Sequence, residues 1–282
     1  MLRAGPLKGR LRYHARYWAG QLLSLSAKLP ERDDWIFIAC YHMIFDDVRK
    51  NFERQIAAMR NLGDIISLDD AVESLQNPAG VRGRFFCLTF DDGFKNFFDN
   101  ALPILLDRRC PAAVFLSTDY VGLDLDRDWD RAWHFYKRSM TYSLPMEFMS
   151  WDDCRAAHRE GVTVGSHTCS HVPLASISAA EAERELRESK EKIETELGGE
   201  CLHFCAPWGM PGDDFDPQTH PALARQIGYR SFISTEFGYN RASDRLPYLR
   251  RRDMCGDDNP AILRFALDQC RRIDAARKNT AK

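Results

Sequence analysis

No continuous run of about 18 apolar residues occurs anywhere in the 282-residue chain, so nothing in it reads as a membrane-spanning helix. Neither sign of charge dominates. The 39 basic and 41 acidic residues leave a net charge of -2, which removes the bulk basic field expected of a nucleic-acid partner. Paired CxxC spacing is missing too. The nine cysteines, at positions 40, 87, 110, 154, 169, 201, 205, 255 and 270, are odd in number and several sit in apolar runs. That pattern fits reduced thiols and argues against a disulfide framework or a zinc ribbon. There is no Walker loop, dinucleotide glycine fingerprint, internal repeat or low-complexity tract. What remains is an ordinary globular composition, 44% hydrophobic and 28% charged, sufficient for one large domain or two small ones.

The start of the chain is basic with interspersed apolar residues, as secretion signals are, but Gly20, Gln21, Ser24 and Ser26 break the apolar portion, and no signal peptide is read there. Leu11, Ala15, Trp18, Leu22, Leu25 and Leu29 recur at helical spacing, with Arg10, Arg12, Arg16 and Lys28 off the stripe. Such a stripe either packs on the body of the protein or rests on an anionic membrane surface, a contact that residues 10–29 would make. Residues 1–30 are therefore expected to form a basic amphipathic arm, 31–270 the main body and 271–282 a polar tail.

Beyond the arm, short apolar runs alternate with helical stretches. Segments 35–40, 85–90, 112–117, 162–165, 202–207 and 229–234 read as buried strands, and 51–62, 94–108, 151–160, 178–197 and 218–227 as helices. This rhythm predicts an α/β fold with a largely parallel sheet, open or closed into a barrel. Residues 118–150, irregular and rich in Asp and Trp, read as a long loop or lid.

Chemistry in parallel α/β folds gathers at the carboxyl ends of strands. Those ends carry His42, the pair Asp91 and Asp92, His167 and His171, and Pro207, Trp208 and Gly209. Alone, "FDDG" is ordinary turn chemistry. Histidines four apart, as in "HTCSH", can share a cation, but Thr168 stands where a zincin would carry its glutamate, so the carboxylate must come from elsewhere. A bound divalent ion would also explain a buried aspartate pair, with one carboxylate neutralised as a ligand and the other free as a base.

"TFDDG" at 89–93, the His-Thr-x-x-His element at 167–171 and "FCAPWG" at 204–209, in this order, resemble the NodB-type polysaccharide deacetylases, carbohydrate esterase family four. The similarity runs from about Tyr41 to about residue 252, and the early "YH" resembles the subgroup of surface-glycan biosynthesis. The resemblance implies a deformed (β/α) barrel of seven or eight strands and metal-dependent removal of an acetyl group from an N-acetylated sugar. By position, Asp92, His167 and His171 would hold the divalent metal, usually zinc, and Asp91 would be the general base. Thr168 would brace the histidine loop through a hydrogen bond, and Pro207 and Trp208 would shape the substrate pocket, a backbone N–H near Trp208 helping to bind the oxyanion.

Two departures stand out. Cys205 occupies the position of the arginine that pairs with the catalytic aspartate in many relatives, and Arg250 is the candidate substitute. The late Leu-x-His element that supplies the general acid is absent, which leaves His42, with Asp46 or Asp47 in support. Trp129, Trp133 and Trp151 could stack on a sugar ring, while His203 and His220 read as structural. The expected activity is metal-dependent N-deacetylation of an N-acetylhexosamine in a glycan or a lipid- or nucleotide-linked precursor, by a cytoplasmic enzyme that visits the membrane surface. The rivals are a metal-dependent glycosyltransferase and a degenerate carbohydrate-binding barrel without turnover.

Overall fold

A computed structural model describes residues 22, 24–29, 34–77, 80–137, 145–244 and 247–280. Most of the N-terminal stripe, including Leu11, Ala15 and Trp18, lies outside the described residues. Within them, Leu22 and Leu25 are exposed, while Leu29 packs against the core.

Eight parallel strands make one sheet. They are β1 (Trp35–Tyr41), β2 (Asp64–Ile65), β3 (Arg84–Phe90), β4 (Ala113–Leu116), β5 (Thr163–Ser166), β6 (His203–Cys205), β7 (Ser231–Ile233) and β8 (Arg252–Asp253). The order across the sheet is β7-β6-β5-β4-β3-β1-β8, with β2 alongside the first half of β3. Ile233 at the end of β7 bridges Leu249 in parallel, and three residues later β8 begins to pair with β1, Ala39 opposite Arg252 and Cys40 opposite Asp253. The stretch 249–253 thus spans the gap between the sheet's two edges and curls it into a deformed (β/α) barrel.

The pleat sorts the strand residues into two cores. Ile36, Ile38, Cys87, Phe115, Cys205 and Ile233 fill the barrel interior. Phe37, Tyr41, Phe86, Leu88, Phe90, Val114 and Phe204 point outward, beneath the surrounding helices. Burial on both faces is why these strands read as continuous apolar runs. Cys87 and Thr89 belong to the inward set, so the next inward position on this strand is Asp91. A lumen-facing carboxylate is dictated by alternation alone.

Helix α1 (Arg49–Arg60), α2 (Leu68–Gln76), α3 (Leu102–Asp107), α4 (Trp129–Tyr136), α5 (Trp151–Arg159), α6 (Ala179–Leu197), α7 (His220–Ile227) and α8 (Ile262–Thr280) accompany the strands. The capping boxes of Ser150 with Asp153 and of Ser178 with Glu181 start α5 and α6, and Gly198, in the left-handed region at φ 69°, ends α6.

Two expectations are corrected. Residues 118–150 are not simply a loop, because they contain α4. Its Phe135 packs with Phe94, Tyr120 and Phe148 in a satellite cluster, with ring centroids 5.1–5.7 Å apart in the pairs Phe135 makes. The tail at 271–282 is not separate either. Helix α8 continues through it to Thr280, tied down by Arg241 to Asp274 at 3.1 Å and by an ion pair between Arg277 and Glu236. Helix α2 and the two-residue strands β2 and β8 were not anticipated.

Candidate active site

The carboxyl ends of β1, β3 and β8, with the loops after β5, β6 and β7, open into one pocket of about 370 Å³. Its lining includes His42, Asp91, Asp92, His167, His171, Trp208, Arg251 and Asp253. Holding this rim in shape strains the backbone. Four of the five non-glycine residues with positive φ among the described residues lie here: Asp92 (73°), Thr168 (65°), His171 (54°) and Trp208 (62°). Gly93, at φ 72°, lets the strand turn away immediately after the aspartates, and a Cβ there would come within 2.8 Å of Leu116.

Three side chains converge. Asp92 Oδ1 lies 3.2 Å from His171 Nε2 and 3.5 Å from His167 Nε2, all three residues being buried. Two bonds of about 2.0–2.1 Å meeting at a tetrahedral angle would separate their donor atoms by about 3.3 Å, so this spacing is that of ligands around one small cation. His167 Nδ1 bonds the Cys205 carbonyl at 2.8 Å, which presents Nε2 to the centre. Burial lowers the pKa of His167 to about 4 and keeps its ring neutral, the form a ligand needs. The residues fit a divalent cation of the zinc type.

Three other groupings of potential ligands occur among the described residues: Asp91, His167 and Cys205; Cys40, His42 and Asp253; and Cys255, Asp257 and Asp258. In the first two, burial pushes the thiols well above their ordinary pKa, so neither offers a thiolate, and Arg251 already bonds both Cys205 and Asp91. In the third, Asp258 Oδ2 already accepts from the Cys255 backbone N–H at 2.9 Å.

Asp91 is held differently from its neighbour. Arg251 grips it with two parallel bonds, Nη1 to Oδ1 and Nη2 to Oδ2, both 2.7 Å, and the guanidinium also reaches Cys205 Sγ at 2.9 Å and the Ser234 carbonyl at 3.0 Å. Burial alone would raise the Asp91 pKa; the Arg251 charge outweighs it and holds the carboxyl far below the usual range. The expected substitute, Arg250, is not at the site. Its guanidinium bonds Asp244 at 3.1 Å and the Tyr239 carbonyl at 3.2 Å. In an extended chain a one-residue step reverses the face, and only the middle arginine of "RRR" at 250–252 points into the lumen.

His42 stands at the mouth, one-third exposed, with Nδ1 3.5 Å from Asp253 Oδ1. Burial would lower its pKa, but the bond to Asp253 and the field of Asp92 and Asp91 prevail and raise it to about 9. Its carboxylate partner is thus Asp253, not Asp46 or Asp47, which lie in the short helix Asp46–Val48.

The Thr168 hydroxyl is buried without a hydrogen-bond partner, so it does not brace the histidine loop. Glu185 of α6 does that, accepting from the backbone N–H groups of Cys169 at 2.7 Å and Ser170 at 2.9 Å. The Cys169 thiol turns toward the Glu185 carbonyl, away from the ligands. Trp208 forms one wall, its ring 5.9 Å from that of His171, whereas Pro207 is buried and does not line the pocket. Gly209 follows at φ 75°, where a Cβ would meet backbone atoms of Ala206 and Thr235 at 2.9 Å. His203 bonds Ser231 and Asp69 and serves the barrel's structure.

The polysaccharide deacetylase family profile matches residues 80–232, more than half of the chain and the part that carries the aspartate pair, the histidine loop and Trp208. The chain belongs to the polysaccharide deacetylase family. The chain is 22% identical over 218 residues to YxkH of Bacillus subtilis (strain 168), a match covering 75% of this chain and 66% of YxkH. Among solved structures, IcaB from Ammonifex degensii superposes with a TM-score of 0.67 at 20% identity, over 84% of this chain and 98% of IcaB. The Streptococcus pyogenes deacetylase PplD gives 0.62 at 19% identity, over 83% and 97%. The deacetylase domain of BpsB from Bordetella bronchiseptica gives 0.61 at 19%, over 80% and 98%. At these identities the superpositions establish the shared fold.

Proposed function

We propose that this polysaccharide deacetylase is a divalent-cation-dependent N-deacetylase that hydrolyses the acetamide of an N-acetylhexosamine within a glycan. The observation that carries the reading is the convergence of Asp92, His167 and His171 at ligand spacing beside a second, separately held carboxylate, Asp91. An amide is a weak electrophile, and the cation, when bound by those three residues, would supply carbonyl polarisation and a more acidic water.

The remaining work falls to the chain's own groups. The Arg251 clamp fixes the orientation of Asp91 and leaves its oxygens further lone pairs with which to accept the proton of the attacking water. So acidic a carboxylate is a weak base, which is why a water of lowered pKa must accompany it. As the C–N bond breaks, the departing amine takes a proton from His42, which the facing Asp253 keeps charged. A backbone N–H near Trp208 would donate to the developing oxyanion, and the indole, which lines the pocket, would wall the side where the acetyl methyl rests. Met43, Phe45 and Met254 line the pocket as well, giving the sugar an apolar surface.

The case for a binding barrel without turnover rests on the arginine lost at position 205 and on the absent late histidine; Arg251 offers that charge from another strand, and His42 would stand in for the histidine. The test is acetate release from acetylated amino sugars with zinc or cobalt present, comparing the native protein with Asp91→Asn. The reading expects release that falls at least 100-fold in the variant. It is lost if no substrate yields acetate, or if the variant matches the native protein.

A further inference from the structure

Three tryptophans are exposed among the described residues: Trp208 at 38%, Trp129 at 41% and Trp133 at 50%. All three belong to the same end of the barrel. Trp208 lines the pocket. Trp129 and Trp133 lie on α4, which sits above the carboxyl ends of β4 and β5, where Arg131 bonds the Asp119 carbonyl and Tyr120 bonds the Ser170 carbonyl. The inner face of α4 presses Phe135 against His171, with ring centroids 4.6 Å apart. At 1.5 Å of rise and 100° of turn per residue, Trp133 and Trp129 are displaced from Phe135 by about 3 and 9 Å along the helix axis and lie on another, exposed side of it.

The two indoles are nearly parallel, 29° apart with centroids at 5.8 Å, and they sit one turn apart among Asp130, Arg131 and His134. Water-exposed indole costs free energy unless something covers it. The polar setting indicates the kind of cover. The apolar C–H faces of pyranose rings stack on indole while their hydroxyls need neighbouring donors and acceptors. A lipid or protein contact would call for aliphatic side chains, and the sequence of α4, "WDRAWHFY", has none on this face beyond the indoles.

We propose that Trp129 and Trp133 form an outlying sugar platform, on which further residues of a glycan lie while one N-acetylhexosamine occupies the pocket. This rests on the deacetylase reading, and the experiment separates the two. Acetate release is followed with di- and hexasaccharides of N-acetylglucosamine, β-1,4- and β-1,6-linked. Binding of the same sugars to Asp91→Asn is measured by calorimetry, which needs no turnover.

The platform predicts a kcat/KM for one of the hexasaccharides on the order of ten-fold above that for its disaccharide. In Trp129→Ala/Trp133→Ala most of that gain is lost through KM, and the Phe pair restores part of it. The calorimetric affinities should show the same dependence on chain length. The disaccharide rate and the melting temperature report whether pocket and fold are intact. A chain-length gain equal in native and double-Ala proteins, or no gain in either, overturns the platform and leaves the deacetylase reading standing. So does loss of binding to anionic phospholipid vesicles in the double-Ala protein with sugar binding unchanged. Absence of acetate from every sugar overturns the deacetylase reading, and the calorimetry still decides the platform.

Discussion

Arg250 and Arg251 are chemically identical and adjacent, yet Arg251 grips Asp91 in the pocket and Arg250 fastens a turn through Asp244 and Tyr239. The difference is the facing of a strand, so replacing each should have different consequences. Arg251→Met leaves the Asp91 charge buried without its partner, which costs about 3–5 kcal/mol and should appear as a large fall in melting temperature together with loss of activity. Arg251→Lys keeps a charge but not the two-pronged geometry, and kcat should drop well below the native value even where the protein stays folded. Arg250→Ala breaks the links to Asp244 and Tyr239 and should lower the melting temperature while kcat per folded molecule changes little.

A pH profile tests His42 at the same scale. Its raised pKa means the imidazolium form persists through neutral pH and is lost as pH rises toward about 9, so the general acid disappears on the alkaline side. A bound cation offsets part of the carboxylate field, which places the alkaline limb of kcat between the ordinary value near 6.5 and about 9. Asp253→Asn removes the facing carboxylate and should move that limb to lower pH. A limb that stays put in Asp253→Asn, or a His42→Gln enzyme with native kcat, would assign the proton to another group.

At the scale of elements, β8 and α8 finish the molecule. Two residues of β8 pair with β1, and the stretch before them delivers Arg251 into the lumen. Helix α8 buries Leu263, Ala266, Leu267 and Cys270 and holds Glu236 and Arg241 through Arg277 and Asp274. Truncation after residue 270 should therefore reduce thermal stability by several degrees, with zinc affinity of the folded fraction preserved, as differential scanning and metal titration would show.

This division also explains what could be read in advance. Strands β1, β3 and β4 are legible because burial on both faces leaves an unbroken apolar run, and their ends then name His42, Asp91 and Asp92. The histidine pair and Trp208 stand in short motifs with local spacing. Strand β8 carries no such mark, because three arginines followed by an aspartate read as exposed chain. Arg251 is tolerated in the interior only because Asp91, 160 residues away in sequence, faces it. Glu185 was hidden for a similar reason, being one of many glutamates on a charged helix until the fold places it over the histidine loop.

For the molecule as a whole, a curled parallel sheet gathers groups from three strand ends and three loops into one pocket. Arg251 holds Asp91 and His42 faces Asp253, while Asp92 stands at ligand spacing from the imidazoles of His167 and His171. A divalent cation bound by those three residues should stabilise the fold by about 2.7 kcal/mol when present at 100 times its dissociation constant. The most direct measurement is calorimetric titration of chelator-treated protein with zinc, beside Asp92→Ala and His171→Ala. The account expects one ion per chain in the native protein and affinity weakened at least 100-fold in each variant. Equal affinity in all three proteins, or no binding to the native one, would contradict it.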